Sequence, residues 1–272
     1  MSDWNEFYRK LKNGQGVSSY LTRCRDLTCL RANDNHLLVI AADSLGGIGS
    51  KPFDVVQASP DVVGHFALRV PLMEVLAAGA TPFLIVDNLS VEAGDYGEAI
   101  LAGMKRLAET LGLADSIHFN GSTEDNVMTH QTGVGVTVIG LVSNADFQVG
   151  SSKPGDRLLV AGYPKSAPHH RVTVDDPDIL ELRQLRALRA QSQVADIVPV
   201  GSRGIRYEAE QLANAAGLQP YLDANAGAGA LALETSGGPS TCVVFSWRGT
   251  DLAQLAGCVT APLTPIGWLE RE

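Results

Sequence analysis

A short apolar segment that runs directly into a glycine-rich stretch places the strongest constraint on this fold. Residues 36–42 read HLLVIAA, and the β-branched side chains in this run predict a buried strand that ends at Asp43. The stretch that follows, residues 44–51, contains Gly46, Gly47 and Gly49. Because glycine has no Cβ, the backbone N–H groups of such a loop can approach phosphate oxygens, and Lys51 would add a positive charge.

An aspartate beside an anion-binding loop predicts a nucleotide site in which Asp43 holds a metal ion. A flexible glycine turn preceded by an ordinary aspartate fits the same residues equally well. The spacing matches neither the P-loop pattern G-x-x-x-x-G-K-[ST] nor the dinucleotide pattern G-x-G-x-x-G. Both interpretations therefore stay open from this stretch alone.

The charge and hydropathy of the chain exclude several classes of protein. Its 272 residues carry a formal net charge of -9, with a sequence pI near 5.1, which argues against binding to nucleic-acid phosphates. No apolar run approaches the roughly 20 residues of a membrane span, and no secretory signal opens the chain. The four cysteines form no C-x-x-C pair, so a zinc site is not expected. We expect a cytoplasmic protein with a small-molecule partner.

Two further acidic residues are expected near Asp43. Residues 24–30 and the strand after them predict a β-hairpin, which would bring Asp26 beside Asp43. An aspartate pair from neighbouring strands suits a hard divalent cation, although Asp26 on an exposed face is the simpler alternative. Glu74 lies in an apolar helix predicted over 60–79, which Pro71 should kink or split. Because an unpaired buried carboxylate is costly, Glu74 is expected to face a metal or another cation.

A second ligand-facing loop is predicted at residues 120–124. A strand at 82–90 and a helix at 94–111 precede it, and Gly121 would form a tight turn after the next strand. The candidate ligand-binding residues of this loop are Asn120, Gly121, Ser122, Thr123 and Glu124. A solvated loop is the alternative for the same polar cluster.

A domain boundary is predicted within residues 143–156, giving domains at 1–150 and 151–272. The second domain would contain a glycine-punctuated loop near 196–205 that leads into a helix at about 205–216. Amides at the start of that helix could receive an anion or a polar substrate. Strands near 230–234 and 241–247 and a closing segment at 266–269 would complete this α+β domain.

The order of several motifs resembles the aminoimidazole-ribonucleotide synthetase (PurM-like) superfamily. The segments that carry the resemblance are 72–82 (LMEVLAAGATP), 120–124 (NGSTE), 154–156 (PGD) and 195–201 (ADIVPVG). The resemblance implies a two-domain α+β fold, an N-terminal domain that dimerises through its sheet, and ATP with Mg²⁺ near the domain interface. Thiamine-monophosphate kinase, selenophosphate synthetase and a hydrogenase maturation factor belong to the same superfamily.

Matching positions in the superfamily imply roles for individual residues. The metal-holding acids would be Asp26, Asp43, Glu74 and Glu124, where Glu124 would compensate for Ser122, which replaces the usual acid. The ATP-binding residues would be Asp43, Gly46, Gly47, Gly49, Lys51, Asn120, Gly121, Ser122 and Thr123. The substrate-binding residues would be Asp196, Gly201, Ser202 and Arg203, with Asp196 and Lys51 as the catalytic pair. Asp196 could instead cap its own loop.

Within the superfamily, the residues of these motifs are most similar to those of α-ribazole kinase, which phosphorylates the 5′-hydroxyl of a benzimidazole riboside. This resemblance implies an ATP-dependent kinase with a nucleoside-like acceptor. Thiamine-monophosphate kinase and an amide-activating synthetase are the alternatives within the superfamily. A nucleotide-binding regulator without activity is the alternative from another class.

Overall fold

The structure, a computed structural model, describes residues 2–223 and 231–271. Its helices are α1 Ser2–Lys12, α2 Pro60–Ala77, α3 Glu98–Thr110, α4 Leu182–Arg189 and α5 Gly204–Ala215. Its strands are β1 Leu21–Cys24, β2 Leu27–Arg31, β3 His36–Gly46, β4 Ile48–Gly49, β5 Val56–Gln57, β6 Thr81–Leu89, β7 His118–Thr123, β8 Gly133–Ser143, β9 Arg157–Ala161, β10 Val194–Pro199, β11 Gln219–Leu222, β12 Val243–Trp247 and β13 Leu263–Glu270. No helix within these residues is long and apolar enough to cross a membrane.

The first half of the chain builds a six-stranded sheet in the order β1-β2-β3-β8-β6-β7. Its longest pairing is the antiparallel ladder of β3 and β8, which runs from His36 opposite Ser143 to Gly46 opposite Gly133. Alternate residues of β8 are buried, as expected when one face of a strand packs on helices. Helices α2 and α3 cover that face. The other face keeps Leu141 and the β6 residue Phe83 at 41% exposure each.

The second half builds a five-stranded sheet in the order β10-β12-β9-β13-β11. Strand β9 is buried on both faces, with Leu158 and Val160 in a core that also contains residues of α5. Leu159 and Ala161 belong instead to the larger core, which contains residues of α2 and α3. Helix α2 therefore contributes to the packing of both halves, and the α+β fold expected from the sequence is confirmed.

Several local expectations were wrong, each for a physical reason. Strand β3 continues three residues beyond Asp43, because β8 pairs with it as far as Gly46. Gly121 lies inside β7 rather than in a turn; a Cβ there would come within 2.2 Å of an Asp87 carboxylate oxygen. Pro71 does not split α2. The helix is buried along most of its length, and this packing stabilises it on both sides of the proline. No strand forms over residues 231–234, and residue 230 lies outside the described residues.

Helices α2 and α3 approach closely through two glycines. A Cβ on Gly64 would come within 1.9 Å of the Ile100 carbonyl oxygen, and one on Gly103 within 2.0 Å of the Asp61 carbonyl oxygen. Contacts of this kind cannot be relieved by a side-chain rotation, because the obstructing atoms belong to the backbone. The spacing of the two helices therefore depends on both glycines.

We expect Gly64→Ala to lower the free energy of unfolding by about 1–3 kcal/mol, because the added methyl group must push α3 away. Urea unfolding followed by circular dichroism measures this change. Gly257→Ala is the matched control, since a Cβ at Gly257 meets no atom within 4 Å. Equal free energies of unfolding for the two variants would show that the helix pair accommodates the methyl group without loss of stability.

A buried ion pair joins the two sheets. Arg25 lies in the turn between β1 and β2 with a positive φ of 56°, which is uncommon for a residue other than glycine. Its Nη2 donates to Asp196 Oδ1 at 3.0 Å, and the two side chains are 7% and 0% exposed. The amide of Gly150, in the segment between the sheets, donates to Asp196 Oδ2 at 2.8 Å. One aspartate in β10 thus holds the first sheet and the connecting segment together.

We expect Arg25→Ala to cost about 3–5 kcal/mol of stability, because it leaves the Asp196 carboxylate buried without its cation. Chemical unfolding of the purified variant measures the loss. Arg23→Ala serves as the control: Arg23 pairs with Asp26 at 3.9 Å with both side chains more than 70% exposed, and such a pair contributes at most about 1 kcal/mol. The double variant Arg25→Met with Asp196→Asn should recover part of the loss. Full stability of Arg25→Ala alone would contradict this role.

Candidate functional site

The site is a cavity of about 540 Å³ between the first sheet with α2 and three loops of the second half. The first half supplies Asp26, Asp43, Ser44, Leu45, Gly46, Ile48, Val56, Gln57, Ala58, Val62, Val63, Phe66, Val70 and Glu74. The second half supplies Ser166, Ala167, His170, Arg171, Val172, Gly201, Ser202, Gly238, Pro239 and Ser240. The volume falls in the range of small-molecule pockets.

Three acids predicted to hold a metal line this cavity together. They are Asp26, Asp43 and Glu74, although Asp26 sits in the β1–β2 turn rather than on a strand. Burial raises the pKa of Glu74 to about 8, the charge of Arg25 opposes the rise, and Asp26 and Asp43 add to it. Burial likewise raises the pKa of Asp43, again with a contribution from Asp26. Burial, reinforced by the neighbouring acids, thus disfavours the ionised forms of Glu74 and Asp43, and a cation in the cavity would favour them.

The acidic group suits a Mg²⁺ ion that receives part of its coordination from a bound nucleotide. Among residues 2–223 and 231–271, no three His, Cys, Asp or Glu side chains form a group able to hold a metal by themselves. Magnesium in nucleotide sites usually takes one or two carboxylates and completes its coordination with phosphate oxygens and water. Asp26, Asp43 and Glu74 therefore suit an ion that arrives with a nucleotide.

Glu124 does not belong to this group. It lies in the loop after β7, where its carboxylate accepts a hydrogen bond from the Asn126 amide at 2.8 Å, and it does not line the cavity. The other residues predicted in this segment, Asn120 to Thr123, form part of edge strand β7. Asp43 faces Val136, Val136 faces Asp87, and Asp87 faces Gly121 across successive strands. At about 4.8 Å per strand, Gly121 lies roughly 14 Å from Asp43.

The glycine-rich stretch is divided between the cavity and the protein interior. Gly46 lines the cavity, but the amide of Gly47 donates to the Thr132 carbonyl at 2.9 Å. A Cβ at Gly49 would meet Thr132, Tyr96 and Asp54 side chains within 2.5 Å. The glycines thus allow close packing within the protein, and an open cradle of free amides, as the sequence suggested, is not formed.

Lys51 is held away from the cavity. Its Nζ pairs with Glu92 Oε2 at 2.5 Å and donates to the Thr129 carbonyl at 3.0 Å, while its own amide donates to Asp54. This contact with Lys51 lowers the pKa of Glu92 to about 2. The Glu92 carboxylate thus neutralises the positive charge of Lys51, which the sequence had suggested would contact phosphate.

The catalytic role expected for Asp196 needs correction. The residue lies within β10, is 0% exposed, and has both carboxylate oxygens hydrogen-bonded, to Arg25 and to Gly150. Burial raises its pKa against the opposing charge of Arg25. A carboxylate enclosed in this way cannot contact a substrate hydroxyl, so the alternative structural role fits its position.

The loop between β10 and α5 does reach the cavity. Gly201 and Ser202 line it, whereas the Arg203 guanidinium lies 3.6 Å from the centre of the Tyr207 ring, on the first turn of α5. Glu208 follows on the same helix; burial raises its pKa to about 7, and a hydrogen bond from the Gly201 backbone opposes the rise.

The sequence interpretation missed several residues that shape this site. Arg25 fixes the turn that carries Asp26, and its only signal was its place next to that acid. His170 and Arg171 lie in an exposed loop, where both line the cavity and Arg171 brings a positive charge to it. Arg69 in α2 is 2% exposed and donates to the carbonyls of Leu180, Pro239 and Ser240. These hydrogen bonds hold the cavity-lining segment at residues 239–240 against α2.

Comparison with known proteins agrees with this architecture. Residues 25–142 match the family model for the AIR synthase related protein, N-terminal domain. Thiamine-monophosphate kinase of Archaeoglobus fulgidus is 30% identical over 79 residues, which are 29% of this chain and 26% of that relative. This sequence match therefore spans about a quarter of the relative's length.

Solved structures resemble the chain over nearly its whole length. Thiamine-monophosphate kinase from Stenotrophomonas maltophilia K279a has a TM-score of 0.64 at 19% identity, covering 98% of this chain and 93% of that one. The structure of AaThiL complexed with AMPPCP and TMP has a TM-score of 0.63 at 17% identity, covering 97% and 89%. The chain therefore has the fold of these solved structures, and its residues 25–142 match the AIR synthase related protein, N-terminal domain.

Proposed function

We propose that this protein is a kinase that binds Mg·ATP in the 540 Å³ cavity and phosphorylates a hydroxyl of a small nucleoside-like acceptor. The observation that carries the proposal is the convergence of Asp26, Asp43 and Glu74 on one cavity beside an apolar wall. Support comes from the similar fold of AaThiL, which was solved with AMPPCP and TMP. The proposed acceptor is the 5′-hydroxyl of α-ribazole, which follows from the motif resemblance.

Each wall of the cavity has a chemical task in this proposal. Ile48, Val62 and Phe66 offer an apolar surface for a planar base, and one or two of the three acids would hold Mg²⁺ against the phosphates. The ion would supply neutralisation of charge on the phosphoryl group. Arg171, from the second half of the chain, places a fixed positive charge in the same cavity.

Phosphoryl transfer needs positioning more than covalent chemistry from the protein. The acceptor oxygen forms a bond to the γ-phosphorus, the bond from that phosphorus to the β–γ bridging oxygen breaks, ADP leaves, and the hydroxyl proton passes to solvent. The residues of this chain would orient the two reactants and exclude bulk water. No nucleophilic side chain is required, which agrees with the enclosed position of Asp196.

A specific observation favours thiamine monophosphate as a second candidate acceptor. The 79-residue match at 30% identity is to a thiamine-monophosphate kinase. The two acceptors differ in charge, since thiamine monophosphate carries a phosphate and α-ribazole carries none. One set of assays can therefore separate them.

We expect the protein to convert Mg·ATP and one of these acceptors to ADP and a phosphorylated product, detected by mass spectrometry. Asp43→Asn and Glu74→Gln should each reduce kcat/KM by a factor of about 10² or more, because each removes a charge from the metal-binding group. Asp115→Asn, at an exposed residue outside the cavity, should leave kcat/KM unchanged. A formamidine substrate in the same panel tests the synthetase alternative. ATP binding without any product would instead identify a regulator, and ATP affinity independent of Mg²⁺ would contradict the metal site.

We also propose that two copies associate through the uncovered face of the first sheet. Leu38, Ile40, Ile139 and Leu141 share that face by strand register, and Leu141 is 41% exposed. A second copy related by a twofold axis would cover the same residues on both chains. The resemblance to the superfamily implied the same dimer.

Light scattering should therefore give a mass of twice 28.8 kDa at micromolar concentration. Leu141→Arg should shift the protein to the monomer, because a charge would be buried at the interface. Val174→Arg changes an exposed apolar residue outside the sheet and should leave the dimer intact. An active wild-type monomer would overturn the proposal.

A further inference from the structure

A second cavity of about 380 Å³ lies next to the first. It is lined by Arg23, Arg25, Asp26, Tyr207, Glu208 and Gln211, so its walls are the β1–β2 turn and one face of α5. Every one of these side chains is polar. Asp26 lines both cavities, which makes it the shared wall between them.

The loop before α5 contributes to the first cavity and contacts residues of the second. Gly201 and Ser202 line the first cavity, while the backbone of Gly201 hydrogen-bonds to Glu208 of the second. Arg203 stacks on the ring of Tyr207, which also lines the second cavity. A ligand that fills the second cavity would therefore touch the same structural unit that forms part of the nucleotide site.

The charges in the second cavity are largely paired within the protein. Arg25 is committed to Asp196 at 3.0 Å, and Arg23 lies 3.9 Å from Asp26. Among the described residues, none forms an ion pair with Glu208. A ligand thus meets one carboxylate without an ion-pair partner and the amide of Gln211, which can both donate and accept hydrogen bonds.

This combination suits neighbouring hydroxyl groups better than a phosphate. A carboxylate accepts hydrogen bonds from hydroxyls, and an amide completes them, whereas an anionic group would be repelled by Asp26 and Glu208 and would find the Arg25 guanidinium already paired with Asp196. An apolar ligand would leave six polar side chains without solvent. The ligand class is therefore a neutral polyol, such as the ribose of a nucleoside-like molecule.

We propose that the second cavity is the acceptor subsite, in which Glu208 and Gln211 hold the ribose hydroxyls of the acceptor. The inference rests on the proposed kinase function, because it is the shared wall at Asp26 that would bring an acceptor hydroxyl towards the phosphates in the first cavity. It also selects between the two candidate acceptors, since α-ribazole carries a ribose and thiamine monophosphate does not.

The test separates binding from turnover. Saturation-transfer NMR measures the dissociation constant of α-ribazole without nucleotide, and steady-state assays with Mg·ATP measure its KM. We expect Glu208→Gln and Gln211→Ala each to weaken α-ribazole binding by about tenfold or more, while KM for ATP changes less than twofold. Glu210→Gln is the matched control, because Glu210 is exposed on the same helix and lines neither cavity.

A ligand variant makes the test specific. 2′-Deoxy-α-ribazole should bind wild-type protein about tenfold more weakly than α-ribazole, and Glu208→Gln should reduce that difference to less than threefold. Circular dichroism and thermal unfolding establish that each variant is folded. Because Gln211 is only half-buried, Gln211→Ala tests the cavity even if Glu208→Gln proves unstable.

The outcomes distinguish the subsite from the proposed function. If wild-type protein phosphorylates α-ribazole and both variants bind it normally, the subsite is wrong and the kinase function stands. If wild-type protein binds α-ribazole without turnover and the variants lose binding, the subsite stands and the kinase function fails. If wild-type protein does not bind α-ribazole at millimolar concentration, the subsite proposal is overturned.

Discussion

The ion pair between Arg25 and Asp196 is the interaction on which the site depends. Removing both charges from water is costly, and their mutual attraction offsets that cost only when the geometry is good and the remaining lone pairs are satisfied. Here the second carboxylate oxygen accepts from Gly150, and the Asp196 amide donates to Ser246 at 3.0 Å. The pair holds Arg25 at positive φ, and this fixed turn presents Asp26 at the boundary of the two cavities.

The acidic group in the first cavity is a source of instability that a ligand can relieve. Glu74 has an ordinary pKa near 4.5, which rises to about 8 in the folded protein. The folded state therefore retains a proton that the unfolded chain releases, so this residue reduces stability progressively as pH rises from about 4.5 to 8. A bound cation would favour the ionised carboxylates and oppose that loss. The proposed affinity for a metal–nucleotide complex and this loss of stability with rising pH would thus have the same physical origin.

Local sequence patterns were sufficient for three of the four predicted metal-holding acids and insufficient for Glu124 and for the surroundings of the site. Asp26, Asp43 and Glu74 could be identified because each follows or lies within an apolar element, and their convergence on one cavity agrees with that reasoning. Asp196 showed the same pattern, yet its partner Arg25 is 171 residues away and no local signal reveals the pair. Gly121 looked like a turn residue, because the sequence does not show that Asp87 would pack against it from the neighbouring strand. Long-range partners decide which polar residues remain free to bind a ligand.

The position of the second cavity explains why the superfamily is easier to recognise than the substrate. Asp26, Asp43 and Glu74 all lie within residues 25–142, the segment that matches the family model. Tyr207, Glu208 and Gln211 lie outside that segment, on α5 of the second half. If the proposed roles of the two cavities hold, such a chain could retain one nucleotide cavity while the face of α5 changes to suit a different acceptor. Asp26 lines both cavities, so in the proposed kinase it would have to serve the metal on one side and leave room for the acceptor on the other.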